Sequence, residues 1–136
     1  MEPIFIRFPR LSAEAIAVGL VCGIDTGKID IVDDATQATT VTVKPIGVSA
    51  TNATAADQEI AVVGGGDTPV VAGTGGFAIG DELVAEAATG KLIVYDESAY
   101  TDGQTVWIVG RALEAAAANA RGVARISPRT TVVGTP

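Results

Sequence analysis

The sequence predicts an all-β protein: a single compact β-barrel or β-sandwich domain with an extended N-terminal arm and a short C-terminal tail. Three observations carry this. Across residues 59–94, short runs of β-branched or long apolar residues alternate with glycine-containing turns. The chain has 136 residues, enough for one domain to bury about two thirds of its unfolded surface without a staple. Its most helix-prone stretch, residues 112–120, has no Ser, Thr, Asp or Asn ahead of the alanines to cap a helix, and Gly110 sits where one would begin.

The arm comprises residues 1–12. Ile4, Ile6 and Phe8 recur at period two between Pro3 and Pro9, which suits an extended segment with one apolar face. No hairpin partner lies beside it in sequence. Such a strand is resolved in one of two ways: as an added strand on another subunit or partner, or by completing the barrel of its own chain.

The domain covers residues 13–127. The apolar run 15–24 is about half the length that spans a bilayer and is broken by Gly19 and Gly23. With Pro3, Pro9 and Glu14 around it and no small-residue cleavage site, it does not read as a signal sequence, so synthesis and retention in a cytoplasm are expected. Cys22, the one cysteine, reads as a small core residue; a disulfide framework is excluded, and without histidine so are the usual zinc sites. Strands are expected at 60–63, 70–72, 83–85 and 92–95. Turns are expected at Gly64-Gly65-Gly66-Asp67, Gly73-Thr74-Gly75-Gly76, Gly80-Asp81 and Thr89-Gly90-Lys91. A strand from Val106 to about Ala115, a turn over 119–122 and a last strand at 123–126 complete the domain. Trp107 lies inside an apolar strand and reads as core. The tail, residues 128–136, offers Arg129, Val132 and Val133 for outward contacts, or has no fixed structure.

Charge divides along the chain. Residues 1–24 are balanced, residues 25–110 carry three lysines against thirteen acids, and residues 111–136 carry four arginines against Glu114, for a net charge of −7. An acidic body speaks against binding nucleic acid along its face, because phosphates are neutralised by clustered Lys and Arg.

Two motifs invite chemistry. Gly73-Thr74-Gly75-Gly76-Phe77-Ala78 matches a dinucleotide fingerprint in letters, but Gly80-Asp81 follows at once where a helix should open, so a turn is expected. Asp25-Thr26-Gly27 is the active-site triplet of aspartic proteases, and Ile108-Val109-Gly110-Arg111 resembles the late segment of the small homodimeric retroviral type. That chemistry needs two copies of Asp25 sharing a proton across a dimer axis. Gly23 interrupts the strand that should lead into Asp25, and Lys28 stands where that family has a small residue; an ordinary Asp-Thr-Gly turn is the competing reading. A secreted adhesion or glycan-binding β module is a third class, set back by the scarcity of aromatics. No catalytic, cofactor or metal residues are assigned.

A further resemblance spans about Gly19 to Ile126. The segments PIGVS (45–49), ADQEIAVVGGG (56–66), AIGDELVAEAATGK (78–91), VGRALEAA (109–116) and VARI (123–126) resemble, in pattern, spacing and order, the capsid decoration (cement) proteins of tailed phages. The resemblance implies a structural virion protein without enzymatic activity, made in the host cytoplasm. It would sit on the outer surface of an icosahedral capsid as a homotrimer and clamp neighbouring major capsid subunits. No membrane or nucleic-acid partner is implied. The contact residues expected on this reading are Ile4, Phe5, Ile6 and Phe8 as apolar anchors and Arg7, Arg10, Arg125 and Arg129 as polar contacts.

Overall fold

The computed structural model describes residues 2–5, 10–25, 27–32 and 44–134. Among the described residues eleven strands run in order: β1 (Ile4–Phe5), β2 (Arg10–Leu11), β3 (Val21–Asp25), β4 (Lys28–Ile31), β5 (Pro45–Ser49), β6 (Glu59–Ile60), β7 (Val62–Val71), β8 (Glu82–Ala85), β9 (Leu92–Val94), β10 (Thr105–Ala112) and β11 (Arg121–Val132). Among the described residues the sole helical piece is a 3-10 turn, Glu97–Ala99. The expectation of a compact all-β domain is met.

Several expected boundaries move. The Gly64-Gly65-Gly66-Asp67 run is not a turn but the middle of β7. Gly66 serves close approach instead: with φ +86, a Cβ there would collide with the Glu2 carbonyl oxygen, so the missing side chain lets the N-terminal segment lie against β7. β10 stops at Ala112, short of the expected Ala115. β11 starts at Arg121 and continues to Val132, so the expected domain boundary at 127/128 falls inside a strand. Pro128, inside this strand, is accommodated by a bulge. The register passes from Ile108↔Arg129 to Gly110↔Ile126, which leaves Ser127 and Pro128 opposite Val109 alone, where no ladder N–H is required of proline.

The strands form two successive copies of one design, with equivalent residues 60 to 63 positions apart, as in Ser12 to Ala72 and Ser49 to Ala112. The antiparallel bridge Ile16↔Ala53 recurs as Phe77↔Ala116, and the parallel bridge Ser12↔Ile29 as Ala72↔Leu92. Ser12 N–H donates to Gln58 O at 2.8 Å, and Ala72 N–H to Ala120 O at 2.9 Å. Ser49 N–H donates to Leu20 O at 2.9 Å, and Ala112 N–H to Asp81 O at 2.8 Å. The pairs Val21↔Val48 and Cys22↔Gly47 correspond to Glu82↔Arg111 and Leu83↔Gly110. In sequence the repeat survives best as Ile16-Ala17-Val18-Gly19 against Phe77-Ala78-Ile79-Gly80. Here both glycines hold the left-handed backbone, at φ +91 and +89, that makes the turn.

Each copy curls into a small ring. In the first, β2 pairs β6, the start of β7 pairs β5, β5 pairs β3, β3 pairs β4, and the Ser12↔Ile29 bridge closes β4 onto β2. In the second, β7, β11, β10, β8 and β9 follow in that order, and the Ala72↔Leu92 bridge closes β9 onto β7. β7 therefore belongs to both rings.

Alternation along the strands decides what each ring buries. Ile16, Cys22, Ile29, Ala53, Ile60 and Val62 fill the first. Phe77, Leu83, Leu92, Ala112, Ala124 and Ile126 fill the second, and Val21, Val32 and Val48 pack into the same cluster. Because Cys22 points into the first ring, Val21 beside it points out of it. The outer face of the first ring is thus what packs on the second, and each such buried valine contributes roughly 1.5–3 kcal/mol of burial. Cys22 is a core residue as expected; it is fully buried, and that burial pushes its thiol up to about 12.

Candidate interaction surface

The outer face of the second ring carries charge where the first carries valine. Glu82, Arg111 and Arg125 occupy the positions of Val21, Val48 and Val63, all three of which are buried. With Asp67 they form one cross-strand row over four neighbouring strands: Glu82 on β8, Arg111 on β10, Arg125 on β11 and Asp67 on β7. Directly paired residues point to the same face, so the register itself assembles the row.

The contacts within it are specific. Arg125 engages Asp67 with two prongs, Nε to Oδ1 at 2.8 Å and Nη2 to Oδ2 at 3.3 Å. This guanidinium holds the Asp67 carboxyl down at about 2. Arg111 donates from Nη1 to the Gly80 carbonyl at 3.0 Å and from Nη2 to Glu82 Oε1 at 3.3 Å. The bulge at Ser127 and Pro128 brings Arg129 to the same oxygen, with Nη2 at 2.9 Å from Glu82 Oε1. Exposed pairs of this kind fix where the guanidiniums point more than they stabilise the fold. Beside the row lies a groove of about 280 Å³, with Ile108, Gly110, Leu113 and Ser127 among the arginines and Glu82.

A second surface lies at the N-terminal segment. β1 pairs Ile4 with Gly65 and Phe5 with Val63, so these two residues complete the sheet of their own chain, one of the two outcomes foreseen for the arm. Their side chains remain outward, 61% and 54% exposed. Where β11 leaves β7 beyond Ile126 and β1 takes its place, a cleft of about 390 Å³ opens between Ile4, Gly64, Gly65, Ile126 and Pro128, with Arg125 at its border.

Of the expected contact residues, Ile4, Phe5, Arg125 and Arg129 are described, and Arg125 is the link between the two surfaces. Both described arginines are held by carboxylates of their own chain rather than extended from a tail. Ile6, Arg7 and Phe8 lie outside the described residues; Arg10 opens β2 opposite Ile60, and its side chain lies outside them too. Arg111, Glu82 and Asp67 were not among the expected residues. Their signal was the strand register, which a single sequence does not carry.

Neither of the two motifs that suggested chemistry opens a helix among the described residues, and Thr26 of the Asp25-Thr26-Gly27 triplet lies outside them. Asp25 pairs with Lys28 where the β3–β4 hairpin closes. Gly73 to Gly76 lead into the Phe77↔Ala116 bridge, with turn geometry rather than a helix following. Trp107 is only partly buried, on β10 opposite Thr130.

Fold and surface together define a compact all-β module made of two tandem rings, with a charged groove and an apolar patch on its outside. It is similar in fold to the head fiber gp8.5 N base in bacteriophage phi29, known from a crystal structure. The likeness has a TM-score of 0.64 and 17% sequence identity, and covers 91% of this chain and 95% of that one. No protein-family model matches the sequence, and no curated protein matches it.

Proposed function

We propose that this chain is a structural protein of a phage head, carried on the outer surface of the capsid and acting by binding rather than by catalysis. The observation that carries the reading is the fold likeness to a head fiber base, which extends over nearly the whole of both chains. The finer reading is a decoration role. The protein, self-associated as a homotrimer, clamps neighbouring major capsid subunits of a tailed phage after its synthesis in the host cytoplasm. The outward side chains of Ile4, which lines the cleft at β1, and of its neighbour Phe5 support it, since solvent-facing apolar side chains on a sheet are suited to burial against a neighbour. Many weak copies on one shell would hold by avidity.

The test is co-sedimentation of the purified protein with undecorated phage heads. Saturable binding at a fixed ratio to the capsid subunit is the expected result, and the ratio reports the symmetry of the site. Heads that pellet without the protein at saturating concentration would refute the reading.

A further inference from the structure

We propose that the charged face of the second ring is where a second copy of this chain docks head to tail, its acidic loop 96–102 seated in the groove between Arg111 and Arg129. This deepens the self-association part of the reading above and rests on it.

The first argument is positional. The same face of the first ring, at Val21 and Val48, is covered by the second ring, whereas the second ring's own copy of that face is open. A surface used for packing in one repeat is thus present in the other with charged residues in place of valines.

The second argument is charge. Arg111 and Arg129 both direct a guanidinium at one oxygen of Glu82, while Asp67 serves Arg125. Three guanidiniums meet two carboxylates, a local positive surplus on a chain whose net charge is −7. A further carboxylate entering the groove would share the Arg111 and Arg129 donors with Glu82 and balance the site, and Ile108 and Leu113 supply apolar contact beside it.

The third argument is that the chain presents a fitting occupant. Asp96, Glu97 and Asp102 are exposed on one loop, and no residue of that loop lines the groove of its own chain. The loop has a set shape. Asp96 accepts from Ser98 N–H at 3.0 Å and from Ser98 Oγ at 2.7 Å, Glu97 accepts from Gly134 N–H at 2.8 Å, and the Tyr95 and Tyr100 rings lie 5.8 Å apart. None of the described ion pairs engages these three carboxylates. An acidic projection and a basic groove on different parts of one surface give a heterologous contact, which closes into a ring when the rotation allows.

The experiment is sedimentation velocity over a concentration series at low and high salt, on four chains. These are the unaltered protein, Arg129→Glu, Glu97→Lys with Asp102→Lys, and the chain carrying all three changes. The unaltered protein should associate, and less so in salt. Each one-sided reversal should weaken association on the order of tenfold or more. The combined reversal should restore it. Arg129→Gln, with circular dichroism on every variant, guards against loss of fold and should weaken association as well. A monomeric unaltered protein at low salt, association indifferent to Arg129→Glu, or no restoration in the combined chain would each overturn the proposal. Head binding measured in parallel separates the two readings: a monomer that still binds heads overturns this contact and leaves the role on the head standing.

Discussion

Gly47 and Gly110 occupy the same place in the two repeats, and a methyl group on either would run into a backbone carbonyl of the next strand, Val63 in one case and Arg125 in the other. Both have ordinary negative-φ strand geometry, so the need for glycine here is one of space. Gly47→Ala and Gly110→Ala should each destabilise the fold by about 1–3 kcal/mol, the range for overpacking. Urea unfolding of the two variants should give shifts of similar size; a neutral result at either position would contradict the shared geometry.

Asp67 and Arg125 make a pH-dependent pair. The Asp67 carboxyl lies at about 2 in the folded chain against a reference of 3.8, so the stabilisation it supplies is complete above pH 4 and disappears as pH falls through about 2. Arg125→Ala should return the carboxyl towards 3.8. Titration of the Asp67 side-chain carbon resonance by NMR in both proteins reads this directly, and an unchanged midpoint in the variant would show that Arg125 is not the cause.

Ser49 is a buried hydroxyl with two tasks. It donates to the Ala17 carbonyl at 2.6 Å and accepts from the Leu20 N–H at 3.0 Å, tying the first ring's turn to β5. The second repeat has Ala112 at this place. Ser49→Ala leaves the buried Leu20 N–H and the part-buried Ala17 carbonyl without this partner and should cost about 1–3 kcal/mol by chemical denaturation.

Ile4 and Phe5 should matter for binding and hardly for folding. Their exposed side chains predict that Ile4→Asp with Phe5→Asp changes stability by no more than about 0.5 kcal/mol. Retention on phage heads should fall sharply in the same co-sedimentation assay. Undiminished retention would remove these residues from the proposed contact.

The sequence disclosed the strand-and-turn grammar because glycine turns at residues 75–76 and 80 are local events, set by backbone freedom and readable within a few residues. It misled at Gly64-Gly65-Gly66, which runs through β7, and where Gly66 serves a close approach to a segment distant in sequence. It also stopped β11 too early, since Pro128 breaks a regular ladder but not a bulged one. The duplication was hidden for a physical reason. The hydrogen bonds that define it are between backbone groups, while the outward positions were free to change from Val21 to Glu82 and from Val48 to Arg111. Arg125 and Arg129 could be singled out as surface charges; their partners Asp67 and Glu82 needed the pairing of strands far apart in the chain.

Because β7 is a stave of both rings, neither can lose its wall without opening the other. Two repeats of this size, joined by a linker, would melt as separate units; joined along a common strand they are bound to a single cooperative transition. The amide protons at the centre of β7 should then exchange with solvent only when the whole molecule unfolds, and a load applied to one ring would be carried through that strand into its neighbour.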